Sequence, residues 1–207
     1  MKHSLLTTII VTTLLGFTTP GSAQNLRLTL DGGASRSLGD NFDEFNWGYS
    51  LGTSLFTNIT ENLYFGGRLA YNRWGPDEAE FLDRIDPFDI VDSAEVQGSA
   101  VIVEVVPALR LMSNYTGPFN FFVHSGAGLY IMNTEITVNG ADENGDTFQE
   151  VFGDDTRYRF GLQLGTGVII GSLRFFSIEV YPMFHLIFDD PDVFTYLSFN
   201  AGIGIGL

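Results

Sequence analysis

From Val193 to Leu207 the chain alternates without a break. Val193, Thr195, Leu197, Phe199, Ala201, Ile203, Ile205 and Leu207 form one almost wholly apolar face, and Phe194, Tyr196, Ser198, Asn200, Gly202, Gly204 and Gly206 form the other. A period of two is the signature of a β-strand whose two faces meet different surroundings. The pattern recurs in seven earlier segments, giving a predicted set of eight: 25–33, 47–58, 63–73, 98–112, 119–133, 157–170, 173–187 and 193–207. Each is long enough to cross a bilayer as a tilted strand of about 9–11 residues.

The two faces are not those of a soluble barrel. In the fourth segment Val101, Val103, Val105, Pro107, Leu109 and Leu111 oppose Glu104 and Arg110. In the seventh, Phe176, Ile178, Val180, Phe184 and Leu186 oppose Ser177, Glu179, Tyr181 and His185. In the sixth, Tyr158, Phe160, Leu162, Leu164 and Val168 oppose Arg157, Arg159, Gln163, Gly165 and Gly167. The polar faces carry small residues and isolated charges rather than a dense covering of Lys and Glu. That pattern reads as apolar outside and polar inside. The connections alternate in length: 34–46, 74–97 and 134–156 are long, with 188–192 on the same side, whereas 59–62, 113–118 and 171–172 are short. Short turns on one rim and long loops on the other are a property of outer-membrane barrels. The fold expected is therefore all-β, an eight-stranded antiparallel up-and-down transmembrane β-barrel.

The N-terminus adds a compartment. Lys2 and His3 precede an uncharged apolar run from Leu5 to Phe17, and Gly21 and Ala23 supply small residues before Gln24. The run is too short to span a bilayer, and its form predicts a cleaved signal peptide over 1–23 and a barrel domain over 24–207. The chain has no Cys, which removes disulfides and thiolate metal sites. Its 24 Gly, 19 Phe and 8 Tyr suit a closed barrel with aromatic girdles. Trp47, Tyr49, Tyr71 and Trp74 are placed at the outer interface by this reading, and Phe119 and Phe121 at the inner one.

Charge divides the same way. Of 25 acidic residues, 21 lie in the four outer connections, the others being Asp31, Glu61, Glu104 and Glu179. The net charge of −15 excludes nucleic acid as a partner. Signal peptide, alternating segments, loop asymmetry and the terminal strand Phe199–Leu207 together resemble the small OmpA/OmpX-type outer-membrane barrels. That resemblance implies residence in a Gram-negative-type outer membrane, contact with its lipid, and a last strand read by the barrel-assembly machinery. The aromatic residue that usually closes that strand is Leu207 here.

Candidate chemistry is confined to the lumen and the loops. Arg27, Asp31, Arg68, Glu104, Arg110, His124, Arg159, Glu179 and His185 fall on inward faces. An eight-stranded interior is just wide enough for side chains to fill, and unpaired charge there costs several kcal/mol. Glu104 and Glu179 are expected to be held by Arg68, Arg110 or Arg159 in a structural ion-pair network. His124 and Ser125 are adjacent, so on a strand they point apart and cannot share a proton. No catalytic site, cofactor or metal ligand set is assigned. The acidic run Asp142-Glu143-Asn144-Gly145-Asp146 lacks the spacing of a calcium loop, although carboxylates there can meet divalent cations at a surface. A short helix is expected to open at Gly75-Pro76-Asp77 and to lay Phe81, Leu82 and Ile85 over the mouth. The function expected is a non-enzymatic envelope-structural or surface-interaction role through acidic loops. A narrow channel and a lipid-modifying enzyme are the alternatives.

Overall fold

A computed structural model of the chain describes residues 26–38, 45–79, 81, 91–113, 118–142, 147–173, 175–189 and 192–207. Eight strands follow one another: β1 Leu26–Leu38, β2 Gly48–Asn58, β3 Leu63–Trp74, β4 Val91–Met112, β5 Phe119–Asp142, β6 Thr147–Gly171, β7 Phe176–Asp189 and β8 Asp192–Gly206. Each pairs antiparallel with its neighbours in sequence, and β1 pairs with β8 from Arg27↔Gly206 to Leu38↔Thr195, closing the sheet. The closed antiparallel eight-stranded barrel expected from the alternation is the fold observed. The segment 1–23 lies outside the described residues.

Alternation sets the facing. Along β7, Ser177, Glu179, Tyr181, Met183, His185 and Ile187 are buried, while Phe176, Ile178, Val180 and Phe184 are exposed. The outer wall is a continuous apolar surface that includes Leu30, Leu51, Leu69, Val105, Leu109, Val123, Leu129, Leu162, Leu164 and Ile203. Such a surface far exceeds the few hundred Å² of contiguous apolar patch tolerated in water. A closed barrel satisfies every backbone group between strands, which permits it to be surrounded by hydrocarbon. Phe119, Phe121, Phe175 and Phe176 ring the end that carries the short turns, and Trp47 and Tyr49 lie exposed at the other.

The strands are unequal. β1, β2 and β3 have 13, 11 and 12 residues, whereas β4, β5 and β6 have 22, 24 and 25. β3 reaches β4 only as far as Trp74↔Ala100, and β7 reaches β6 only as far as Phe160↔Phe188. Beyond those points β4, β5 and β6 continue as a three-stranded sheet that stands out from the mouth. Residues 91–97 and most of 134–156, expected as loop, are therefore strand. The reason is visible in Ile136-Thr137-Val138, whose alternation continues among acidic neighbours that read as loop. A register shift between Thr134 and Ile136 marks where the sheet leaves the barrel, as a bulge bends and twists its strand.

The projecting sheet has its own small core. Phe81, Ile136 and Val138 are buried together, with Phe45 and Val96 packed against them. Phe81 belongs to a helical turn, its backbone N–H donating to Asp77 O at 2.9 Å. This is the helix expected after Pro76; Leu82 and Ile85 lie outside the described residues. Replacing Phe81 with Ser removes the largest member of this cluster while leaving the barrel wall untouched. Faster protease cleavage of the 75–97 segment, with unchanged resistance of the barrel to boiling-induced mobility change, is the expected outcome.

Candidate functional site

The lumen is built by small residues opposite large charged ones. Glycine at 204 leaves space for the Arg27 guanidinium, because a Cβ there would lie 2.2 Å from Nη2 of Arg27 and 2.9 Å from Oε1 of Glu179. Gly52 does the same for the next pair, its Cβ position falling 2.7 Å from Nη2 of Arg68 and 2.8 Å from Oδ1 of Asp31. Both neighbours are buried ion-pair groups that have nowhere else to go. Gly52→Val is expected to prevent heat-resistant folding at physiological temperature, measured as loss of the compact gel species. A normal yield of that species would show that the Arg68–Asp31 pair can be rebuilt elsewhere.

Three levels of polar contacts run up the lumen. At the short-turn end, Glu179 on β7 accepts Nε of Arg27 at 2.9 Å, Nη1 of Arg110 at 2.9 Å and the Thr29 hydroxyl at 3.0 Å. Arg27 also donates to Ser177 Oγ and, at 3.2 Å, to the Leu173 carbonyl. The Arg110 guanidinium lies between the rings of Phe56 and Phe122, 4.5 and 4.3 Å from their centroids. A desolvated cation gains from both ring faces. At mid-height Arg68 grips Asp31 with two hydrogen bonds of 2.8 Å and donates a third to Tyr181 Oη at 2.8 Å. Two parallel N–H donors matching two carboxylate oxygens make a strong, directional pair.

The third level contains no arginine among the described residues. Glu104 Oε1 accepts Asn72 Nδ2 and the Tyr196 hydroxyl, each at 2.5 Å. Its other oxygen lies 3.7 Å from Nδ1 of His185. The opposite nitrogen of that imidazole lies 3.2 Å from Ser198 Oγ, and the ring stacks on Tyr196 at 4.0 Å with planes 4° apart. Serine, histidine and glutamate thus follow one another in the order that nucleophilic catalysis uses. All three are buried, however, and Trp74, Phe194, Tyr196 and Ile187 pack together on the mouth side of them. Burial beneath this aromatic cluster holds the three groups inside the barrel and ties β4, β7 and β8 together.

The placement of the expected residues is mixed. Arg68, Glu104, Arg110 and Glu179 are in the lumen, but Arg68 meets Asp31 rather than either glutamate, and Glu104 meets no arginine among the described residues. Arg159 stands at the rim instead, half-exposed, and with Arg157 it pairs to Asp189. Its inward parity is right, but it lies one residue past the last β6–β7 pair, Phe160↔Phe188, and so at the rim. His124 is buried against Gln163, with Nε2 to Nε2 at 2.7 Å, while Ser125 faces outward. That pair therefore does not form a site. Trp74, expected in the outer girdle, is 1% exposed and points into the mouth against Tyr196, ring centroids 5.2 Å apart. The hydroxyls of Ser35, Ser50 and Ser54 and Oδ1 of Asn200 have no protein partner among the described residues, and buried groups so placed bind water. Sequence reasoning missed the His185–Ser198 contact because the two residues meet across strands: β7–β8 register puts His185 opposite Tyr196, one step diagonally from Ser198.

No protein-family model matches the chain, and no curated protein does. Among solved structures, Neisserial surface protein A aligns over 88% of this chain and 97% of its own, with a TM-score of 0.53 at 12% identity. Ail, the attachment invasion locus protein of Yersinia pestis, aligns over 90% of this chain and 100% of its own, with a TM-score of 0.49 at 14% identity. At 12% identity the likeness to the Neisserial protein lies in the fold, and it coincides with what the strand register and the apolar wall establish independently. The chain has the fold of the small eight-stranded outer-membrane β-barrels.

Proposed function

We propose that this chain is a non-enzymatic integral protein of a Gram-negative-type outer membrane that acts at the cell surface through its projecting sheet and acidic outer segments. The observation that carries the reading is the three-stranded extension of β4, β5 and β6 beyond the mouth. An extension of that size adds nothing to the closure of the barrel, and it presents acidic sequence on the outer side. Asp142 ends β5 and Glu150 stands on β6, and the sequence between these strands adds Glu143 and Asp146. Carboxylates at that height meet phosphate-bearing surfaces through Ca²⁺ or Mg²⁺, because oxygen ligands suit both ions. The barrel-assembly machinery, acting on β8, would insert the chain.

The test is a variant in which 137–150 is replaced by an Asn-Gly turn. Retention of nanodisc-held protein on a lipopolysaccharide-coated surface in Mg²⁺ is expected to fall to background, while heat-modifiable gel mobility stays. Equal retention of the shortened protein, or retention indifferent to EDTA, would overturn the surface role assigned to the hairpin.

Conduction is the second reading, favoured by the Ser35, Ser50 and Ser54 hydroxyls, which have no protein partner among the described residues. Against it stand the Arg27–Glu179–Arg110 and Arg68–Asp31 contacts, which cross the lumen at two heights. Planar-bilayer recordings of the purified protein are expected to show no stable single-channel steps. Regular steps would mean that these pairs open.

A further inference from the structure

We infer that the outer wall of β1–β3 carries a binding site for a phosphorylated lipid headgroup, formed by Arg36 and Arg73 around Trp47, Tyr49 and Tyr71. This rests on the transmembrane reading of the barrel. Arg36 and Arg73 are exposed on the outward parity of their strands, so they point at lipid rather than into the lumen. Among the described residues neither takes part in an ion pair, although the chain carries 25 acidic side chains. The other described arginines, Arg27, Arg68, Arg110, Arg157 and Arg159, all have carboxylate partners.

Position explains why these two are tolerated. A charge on the lipid face is costly at mid-bilayer and nearly free at the interface. Register puts Arg73 opposite Tyr49, Tyr49 opposite Ala34, and Arg36 two residues further toward the rim. Neighbouring strands are about 4.8 Å apart, so the two guanidinium groups flank the aromatic cluster from strands two places apart. Their side chains can converge on one headgroup. Trp47 and Tyr49 are exposed, the Tyr49 and Tyr71 ring centroids are 6.2 Å apart, and Arg36 Cζ lies 5.9 Å from the Trp47 ring centroid. The platform is fixed from above: Asn46 N–H donates to Gly75 O at 3.1 Å, and Phe45 bridges to Pro76. Aromatic rings at the headgroup level supply the apolar floor, and a guanidinium fork matches phosphate oxygens in pairs. Phosphate on an outer-leaflet lipid is the anion that reaches this height from the side.

The experiment compares wild type with R36Q/R73Q in phosphatidylcholine nanodiscs containing either diphosphoryl lipid A or its dephosphorylated form. Lipid retained on the extracted protein is counted by native mass spectrometry in EDTA. Wild type is expected to retain the diphosphoryl form selectively. Each arginine near an anionic surface contributes about 5-fold, so the double variant is expected to bind about 25-fold more weakly. Its heat-modifiable mobility should be unchanged, and Arg157→Gln should retain lipid as wild type does. Equal retention by the folded double variant would overturn the site. So would displacement of the lipid by millimolar inorganic phosphate, or loss of wild-type retention in EDTA, which would assign phosphate contact to the carboxylates instead. A wild-type chain that never enters the discs would remove the transmembrane reading along with the site.

Discussion

Glu179→Gln is expected to lower the unfolding free energy of the barrel by about 3–5 kcal/mol, the usual cost of removing one member of a buried ion group. The substitution keeps the volume and removes one charge. It leaves Arg27 and Arg110 facing each other across a site in which both had shared Glu179. Neither can turn to water, since both are buried and Arg110 is held between Phe56 and Phe122. Unfolding in urea with the protein in micelles gives the measurement, with fluorescence of buried Trp74 as the reporter. The triple change Arg27→Met, Glu179→Met and Arg110→Met is expected to recover most of the loss, because removing every charge also removes the desolvation that the group incurs. A Glu179→Gln penalty below about 1 kcal/mol would mean that water reaches the arginines, and it would revive the channel reading.

Leu164→Arg is expected to destabilise the protein in lipid by about 2–4 kcal/mol, the cost of an arginine near the midplane of a barrel wall. Leu164 lies near the middle of the membrane-crossing part of β6, opposite Ser125 on β5 and Phe184 on β7, and it is 58% exposed. On a water-facing surface the same change would stay within about 0.5 kcal/mol. The two environments therefore predict different results for one substitution. Refolding yield and urea midpoint in phosphatidylcholine vesicles provide the comparison, and a neutral outcome would place that wall in water.

Period-two patterning made the barrel legible because one residue of register error would turn a whole strand inside out. Only a strand puts Val103, Val105 and Leu109 all on the face opposite Glu104 and Arg110. Which lumen charges meet was not legible in the same way. Parity says that Arg68, Glu104, Asp31 and Arg159 all point inward, but partner choice depends on height in the barrel, which the stagger between strands sets. Arg68 reaches Asp31 across β2, at Gly52, where the sequence shows only a glycine. Arg159 has the right parity and the wrong height. Trp74 was misplaced for a related reason: aromatic residues at strand ends suit a girdle, yet its neighbour Arg73 takes the outward position and turns the indole in. The projecting sheet was hidden by composition, since Glu135, Asp142 and Glu150 mark a solvated segment whether it is coil or strand. The His185–Ser198 contact was in principle available from the tight connection between β7 and β8, whose pairing of Asp189 with Asp192 dictates every later partner.

The pairing of β1 with β8 joins positions almost a whole chain apart. Loop-closure entropy must be overcome before that contact returns any stabilisation, and topologies dominated by such distant pairings fold slowly. Each hairpin formed earlier, from β1–β2 through β7–β8, is left with an open edge and an apolar flank until the cylinder joins. Slowness and vulnerability thus share one origin. The interval before the two terminal strands meet is the period in which incomplete chains can pair with one another, and anything that shortens it protects yield without adding a single native contact.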